Sequence, residues 1–204
     1  MPRQYIFCLA LLSGIISISA EPRSAIAHLV SGNIVGSVRF TETDDGLHVT
    51  GAIVGMPAGS YGFHIHELGD VTTCDTTGGH FNPGGMTHGG QHHEVRHVGD
   101  LGNLVFVENE SAPAVATINI MDGMIALRGD NNIVGRAVVL HELEDDYGQG
   151  DNDASLITGN AGPRVACAVI GVLSPNGPWN AAHVLSPSGS FAWKNIFTIH
   201  LYPY

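Results

Sequence analysis

Between about residues 27 and 173, short apolar runs alternate with clusters of Gly, Asn, Asp and Pro, and helical periodicity is nowhere sustained. Leu47, Val49, Gly51 and Ile53 fall on alternate positions, the two-residue period of a strand with one buried face. Strands are predicted at Ala27–Val30, Ile34–Thr41, Leu47–Val54, Gly62–His66, Leu104–Val107, Ala114–Ile120, Arg136–His141 and Val165–Val172. Eight strands around one core predict an all-β sandwich or flattened barrel. Two stretches break the rhythm, Glu67–Gly102 and Glu142–Arg164. Loops this long in a compact domain are functional or disordered. Both adjoin strands that carry histidine, so both are expected to be functional.

The ends of the chain follow other rules. Arg3 is followed by an apolar run from Tyr5 to Ile18 and then by Ser19 and Ala20. That is the pattern of a signal peptide over residues 1–20, too short to span a bilayer and followed by polar sequence. Cleavage is expected after Ala20, with Ala27 as the alternative, and the mature protein is expected to be secreted. A domain over 21–174 and an irregular C-terminal tail over 175–204, of unassigned role, complete the organisation. Lys194 and His200 interrupt the apolar end, which weighs against a lipid-anchor signal. Loss of the leader removes Cys8 and leaves Cys74 and Cys167, which read as one disulfide in an oxidising compartment or else as two buried thiols. Asn109-Glu110-Ser111 is the one N-glycosylation sequon.

Composition narrows the class further. Only 13% of the 204 residues are charged and 27 are glycine, which suits a turn-rich β domain better than a helical bundle. A formal charge of −11 argues against binding to a phosphate backbone, which needs clustered Lys and Arg. Twelve histidines against eight Lys and Arg is the unusual feature.

Those histidines cluster. In Phe63-His64-Ile65-His66 the two-residue period sets both imidazoles on one face and Phe63 and Ile65 on the other. The same logic separates His141 from Val138 and Leu140. Downstream come His80-Phe81-Asn82-Pro83, His88-Gly89-Gly90 and His97-Val98-Gly99-Asp100. Three histidines and an aspartate in one glycine-rich loop can supply four N and O donors to a tetrahedral ion such as zinc. A histidine-rich surface loop with no fixed metal is the alternative at this point, and His92 and His93 complicate the ligand count.

The run from Gly62 to Asn103 resembles the metal region of copper/zinc superoxide dismutase. Gly135-Arg136-Ala137-Val138-Val139-Leu140-His141-Glu142 and Gly159-Asn160-Ala161-Gly162-Pro163-Arg164-Val165-Ala166-Cys167 resemble its later signatures, in the same order. The resemblance implies an eight-stranded antiparallel Greek-key sandwich or flattened barrel with two long functional loops. It implies that His64, His66, His80 and His141 bind copper, and that His80, His88, His97 and Asp100 bind zinc. His80 then bridges the two ions and acts as a proton carrier. Asp145 becomes a carboxylate joining a copper histidine to a zinc histidine, which fixes ring orientation. Cys74 pairs with Cys167, and Arg164 guides the superoxide anion. The implied activity is dismutation of superoxide, and the implied assembly is a homodimer through Leu68, Gly69, Val134, Gly135 and Val172. One departure stands out: Leu143, Gln149 and Ile157 occupy a stretch in which relatives often carry lysine, so weaker electrostatic steering is expected. The competing expectations are a non-catalytic member of the same fold, such as a copper-delivery domain, then a secreted protein that merely buffers copper or zinc, and then a copper-only enzyme.

Overall fold

A computed structural model describes residues 22–109 and 112–176 of the chain. The expected leader, the tail beyond Asn176 and two sequon residues, Glu110 and Ser111, lie outside the described residues. Nine strands form among the described residues: β1 (Ser24–Ser31), β2 (Ile34–Thr43), β3 (Gly46–Val54), β4 (Gly59–His66), β5 (Asp100–Asn109), β6 (Ala112–Asp122), β7 (Ala137–His141), β8 (Arg164–Val169) and β9 (Gly171–Ser174). Helix among the described residues is limited to a 3₁₀ turn at Cys74–Thr77 and one α turn at Ser155–Thr158.

The strands make one antiparallel sheet in the order β8-β7-β4-β5-β6-β3-β2-β1-β9. Connections β3→β4 and β6→β7 each pass over two strands, the Greek-key crossing. Because β8 and β9 are consecutive in the chain yet sit at opposite ends of that order, the sheet nearly closes into a barrel. The eighth expected strand is therefore two. At Ile170 the backbone N–H donates to Arg136 O and the carbonyl accepts from Gly135 N, and the ladder then passes from β7 to β1. An unbroken run of apolar residues carried no sign of that change of partner.

Alternation builds the core. Leu29, Phe40, Ile53, Phe63, Ile65, Phe106, Leu140 and Ile170 are all fully or almost fully buried in one cluster. On β4 this places Phe63 and Ile65 in the barrel interior and directs His64 and His66 to the outer face, where the long loops cover them. The first loop is laid directly against β4: Ile65 N donates to Gly99 O, and Ile65 O accepts from Phe81 N, each at 2.8 Å. A Cβ at position 99 would lie 2.2 Å from Ile65 O, so only glycine allows this approach. On the other side of β4 runs β7, with Phe63 opposite Leu140 and His66 opposite Ala137. β8 continues the order and pairs Arg164 with His141. Three neighbouring strands and one loop thus bring the chemistry-bearing residues together.

Candidate metal centre

His64 and His66 come from β4, His141 from the end of β7 and His80 from the first loop, bridged to His66 as a short β contact. None is more than 7% exposed. Each ring is turned by a bond on its far side. His66 Nδ1 donates to Gly78 O at 2.9 Å and His141 Nδ1 to Gly162 O at 3.0 Å, which leaves their Nε2 atoms facing each other at 3.3 Å. His64 is held through Nε2 by Asp145 at 2.8 Å, which leaves Nδ1 free to face inward. His80 is held through Nδ1, which leaves Nε2. Donor atoms of these four residues lie within 4.8 Å of one another.

A second set shares His80. Its Nδ1 lies 2.8 Å from Asp100 Oδ1, and His97 Nδ1 lies 3.1 Å from the same oxygen. His88 Nδ1 sits 3.0 Å from Asp100 Oδ2 without the alignment of a hydrogen bond. The loop wraps this carboxylate as well, with His97 N and Gly89 N donating to Oδ2 at 2.9 and 3.1 Å. His80, His88, His97 and Asp100 again present donors within 4.8 Å of one another. Asp145 spans the two sets, accepting from His64 through Oδ2 and from His88 through Oδ1, both at 2.8 Å.

The electrostatics of the two sets differ. Burial pushes His64, His66 and His141 toward the neutral form, His141 to about 4, and the charges of His80 and Arg164 add to the shift where they are near. Burial likewise lowers His80. Burial opposes protonation of His88 too, yet the adjoining carboxylates of Asp100 and Asp145, the second hydrogen-bonded to Nε2, prevail and raise it to about 9. Burial alone would raise Asp100 and Asp145, but their histidine partners hold both carboxyls well below the usual range.

Three ring nitrogens, His64 Nδ1, His80 Nε2 and His88 Nδ1, are buried without a hydrogen-bond partner. Buried polar atoms seldom go unpaired, because desolvation then has nothing to offset it. Each belongs to one of the two four-donor sets, so a bound cation accounts for all three. The donor chemistry agrees: an all-imidazole set suits copper, and three imidazoles with one carboxylate suit zinc. The residues fit the two metals.

Above the first set opens a cavity of about 450 Å³, lined among others by His66, His80, His141, Ile157, Thr158 and Arg164. Arg164 is braced in it by three acceptors: Cys74 O at 2.9 Å, Asp75 O at 3.1 Å and Thr77 Oγ1 at 3.0 Å. The Cys74–Cys167 disulfide is present and fastens the same 3₁₀ turn to β8. That bond therefore holds the turn on which the guanidinium rests. His92 and His93 belong to neither set and are exposed, and His93 Nδ1 accepts from Gly90 N at 3.1 Å.

Two supporting pairs were not anticipated. Arg96, 3% exposed, pairs with Asp122 at 2.7 Å and donates to Asp100 O at 2.8 Å, so it pins the backbone of a donor residue. Asn103 and Asp145 exchange two side-chain–backbone hydrogen bonds at 2.8 Å, which seat the carboxylate between its histidines. A lone arginine one residue before a histidine in a charge-poor chain was the available hint for Arg96. Asn103 offered none.

Comparison with known proteins agrees with this geometry. Residues 34–170 match the family model described as copper/zinc superoxide dismutase. The extracellular superoxide dismutase [Cu-Zn] of Drosophila melanogaster is 46% identical over 160 residues, covering 74% of this chain and 86% of that protein. The crystal structure of the clock protein EA4 superposes with a TM-score of 0.71 at 50% identity, covering 78% of this chain and all of that one.

Proposed function

The chain belongs to the copper/zinc superoxide dismutase family, and on that premise we propose how its own side chains serve the conversion of superoxide to oxygen and hydrogen peroxide. His64, His66, His80 and His141 hold copper, and His80, His88, His97 and Asp100 hold zinc. Bound copper supplies a reversible one-electron change, while zinc is redox-inert and supplies a fixed positive charge. Arg164 binds the superoxide anion beside His141, its guanidinium aimed by the carbonyls of Cys74 and Asp75. Two superoxide anions and two protons yield one oxygen and one hydrogen peroxide. His80 would take and deliver one of those protons at Nε2, the nitrogen that no protein group satisfies, when that atom is not serving as a metal donor. Asp145 fixes the rings of His64 and His88 and takes no part in proton transfer.

The observation that carries this reading is the position of His80, one imidazole with a nitrogen in each of two donor sets. A metal buffer has no need of a shared ring, nor of a braced arginine above it. The test is superoxide consumption by the protein loaded with one copper and one zinc, with His141→Ala as the control. Turnover lost in the control and present in the parent is expected. Full metal content without turnover in the parent would leave the buffer as the better account.

The mature enzyme acts outside the cell, the setting in which the Cys74–Cys167 disulfide persists. It works as a homodimer. Leu68 and Val172 are half exposed at 50% and 54%, and Gly69 lies close to the Gly135 carbonyl, apolar and small positions of the kind a two-fold contact uses. Sedimentation of Leu68→Asp as a monomer is the expected check.

A further inference from the structure

The second long loop, between β7 and β8, has little apolar packing to hold it. Its large apolar side chains Leu143, Leu156 and Ile157 are 51%, 44% and 61% exposed. Its one helical turn, Ser155–Thr158, has four residues, too few to be stable by itself. Yet that turn carries Ile157 and Thr158, which line the same cavity as Arg164. It also carries Leu156, whose carbonyl accepts from His88 N at 2.8 Å. Gly159 follows at a φ of 63°, so near Asp145 Oδ1 and His88 Nε2 that a Cβ would collide with both. A turn that adjoins the zinc loop and the anion cavity must therefore be fixed by polar contacts.

Those contacts converge on Asp146. Its Oδ1 accepts from Ser155 Oγ at 2.8 Å and from Gly148 N at 2.9 Å, and its Oδ2 accepts from Asn160 Nδ2 at 2.6 Å. The Asp146 backbone N–H donates to Gly159 O at 2.8 Å. One carboxylate thus grips the first residue of the turn and the segment just past its end. Ser155 passes the constraint on, being fully buried and accepting from Gly150 N through Oγ at 2.8 Å. Asn160 is held with a left-handed backbone, φ 52°, which few residues with a side chain adopt. Hydrogen bonds to an ionised acceptor are about twice as strong as neutral ones, so a half-buried carboxylate can organise a loop that burial does not. Asp146 belongs to neither donor set.

We propose that Asp146 is a positioning residue for the reaction: it seats the Ser155–Thr158 turn as one wall of the Arg164 cavity and so sets the path by which the anion reaches the copper site. This rests on the reading of that cavity as the superoxide site. It also carries a sign. Removing Asp146 makes a chain of formal charge −11 less acidic, which by electrostatics alone should speed capture of an anion. A misplaced wall should slow it.

The test compares the full chain, loaded with copper and zinc, with three variants: Asp146→Ala, Ser155→Ala, and the paired swap Asp146→Asn with Asn160→Asp. In the swap the new amide at 146 donates to the new carboxylate at 160, and net charge is unchanged. Ser155→Ala leaves the charge unaltered too. Per bound copper, Asp146→Ala should lower kcat/KM for superoxide about fivefold and Ser155→Ala about twofold, and the swap should restore most of the loss. Hydrogen exchange at His88 N and Gly159 N, bonded to Leu156 O and Ser155 O, reads the turn without reference to turnover. Both amides should exchange about tenfold faster in Asp146→Ala, as a charge-assisted hydrogen bond is lost, while Ile65 N in β4 keeps its parental rate. Parental exchange at both amides, or kcat/KM at or above the parent's in Asp146→Ala, overturns the proposal. A swap no better than Asp146→Ala overturns it as well. If Asp146→Ala does not fold, Ser155→Ala decides, and an unchanged kcat/KM there overturns it. A parent that binds both metals without turnover fails differently: it removes the superoxide reading first, and the proposal with it.

Discussion

The two halves of the metal centre share His80 yet are assembled by different forces. On the copper side, burial holds the imidazoles neutral, and backbone carbonyls at Gly78 and Gly162 set the tautomers of His66 and His141. On the zinc side a carboxylate does the organising, gathering three histidines and two backbone N–H groups onto Asp100. Three of the four residues of the first arrangement sit on two strands, and only His64 is oriented there by a carboxylate, that of Asp145. The second is built almost wholly from loop and needs an anion at its centre to hold its shape. On the proposed assignment a redox ion would rest mainly on strands, and the redox-inert ion would order the loop.

The largest effect is expected where that anion is removed. Asp100→Ala strips the zinc side of its hub and leaves buried donors at His97 N and Gly89 N without partners. Loss of about 3–5 kcal/mol is expected, the cost of breaking a buried charged network from one side. Chemical denaturation should read it, together with loss of zinc. If stability falls by much less, the loop is being held by its contacts with β4 and the contrast between the halves disappears.

Asp145 ties the halves together, and Asp145→Asn tests whether the tie is mechanical. The amide keeps the shape but presents an N–H to one ring that already needs an acceptor. Both metals should be held about 10–100-fold more weakly, the usual cost of losing a partner behind a ligand. Competition with a chelator of known affinity measures this. Weakening of zinc alone would show that His64 is oriented adequately by its strand, which would make the two halves more independent than the shared carboxylate implies.

A third effect belongs to the copper side and to substrate rather than metal. Arg164→Ala should lower kcat/KM about tenfold at low salt, roughly 1.4 kcal/mol. That is less than the bare attraction of about 3 kcal/mol between unit charges about 5 Å apart at an effective dielectric of about 20, because water reaches the cavity and screens it. Metal content should be unaltered. Arg164→Lys should recover part of the loss, since the charge returns but the bracing of three acceptors does not. Equal rates for all three proteins would remove Arg164 from the reaction.

Much of this was legible in advance, for reasons that particular residues make plain. Phe63-His64-Ile65-His66 declares both its strand and its two faces, because one period governs core and ligands alike. His80, His88, His97 and Asp100 stand in one glycine-rich loop, where a shared ion is the economical reading of so many donors. Partnerships across long separations are another matter. Arg96 reaches Asp122, and Asn103 reaches Asp145, only because the fold brings them together, and neither pair shows a period or spacing. The break at Ile170 was invisible for a related reason: an apolar run marks a strand but not which neighbours it pairs with, nor here which residues are buried, since Val169 and Val172 are exposed.

The smallest effect concerns what this chain lacks. Leu143 and Ile157 are 51% and 61% exposed on the second loop, which carries no lysine between His141 and Arg164, and Ile157 lines the cavity that holds Arg164. With a formal charge of −11, the chain repels an approaching anion at long range, so Arg164 acts mainly once superoxide is near. Ile157→Lys should raise association about two- to threefold at low ionic strength, and the gain should vanish near 0.15 M salt, where screening acts over about 8 Å. Leu143→Lys, outside the cavity lining, should do less. The salt slope of the parent should be shallower than that of Ile157→Lys. If Ile157→Lys leaves both rate and slope unchanged, capture is governed by the braced guanidinium alone, and the copper half would owe its substrate to the same rigid turn and strand that owe their register to the disulfide.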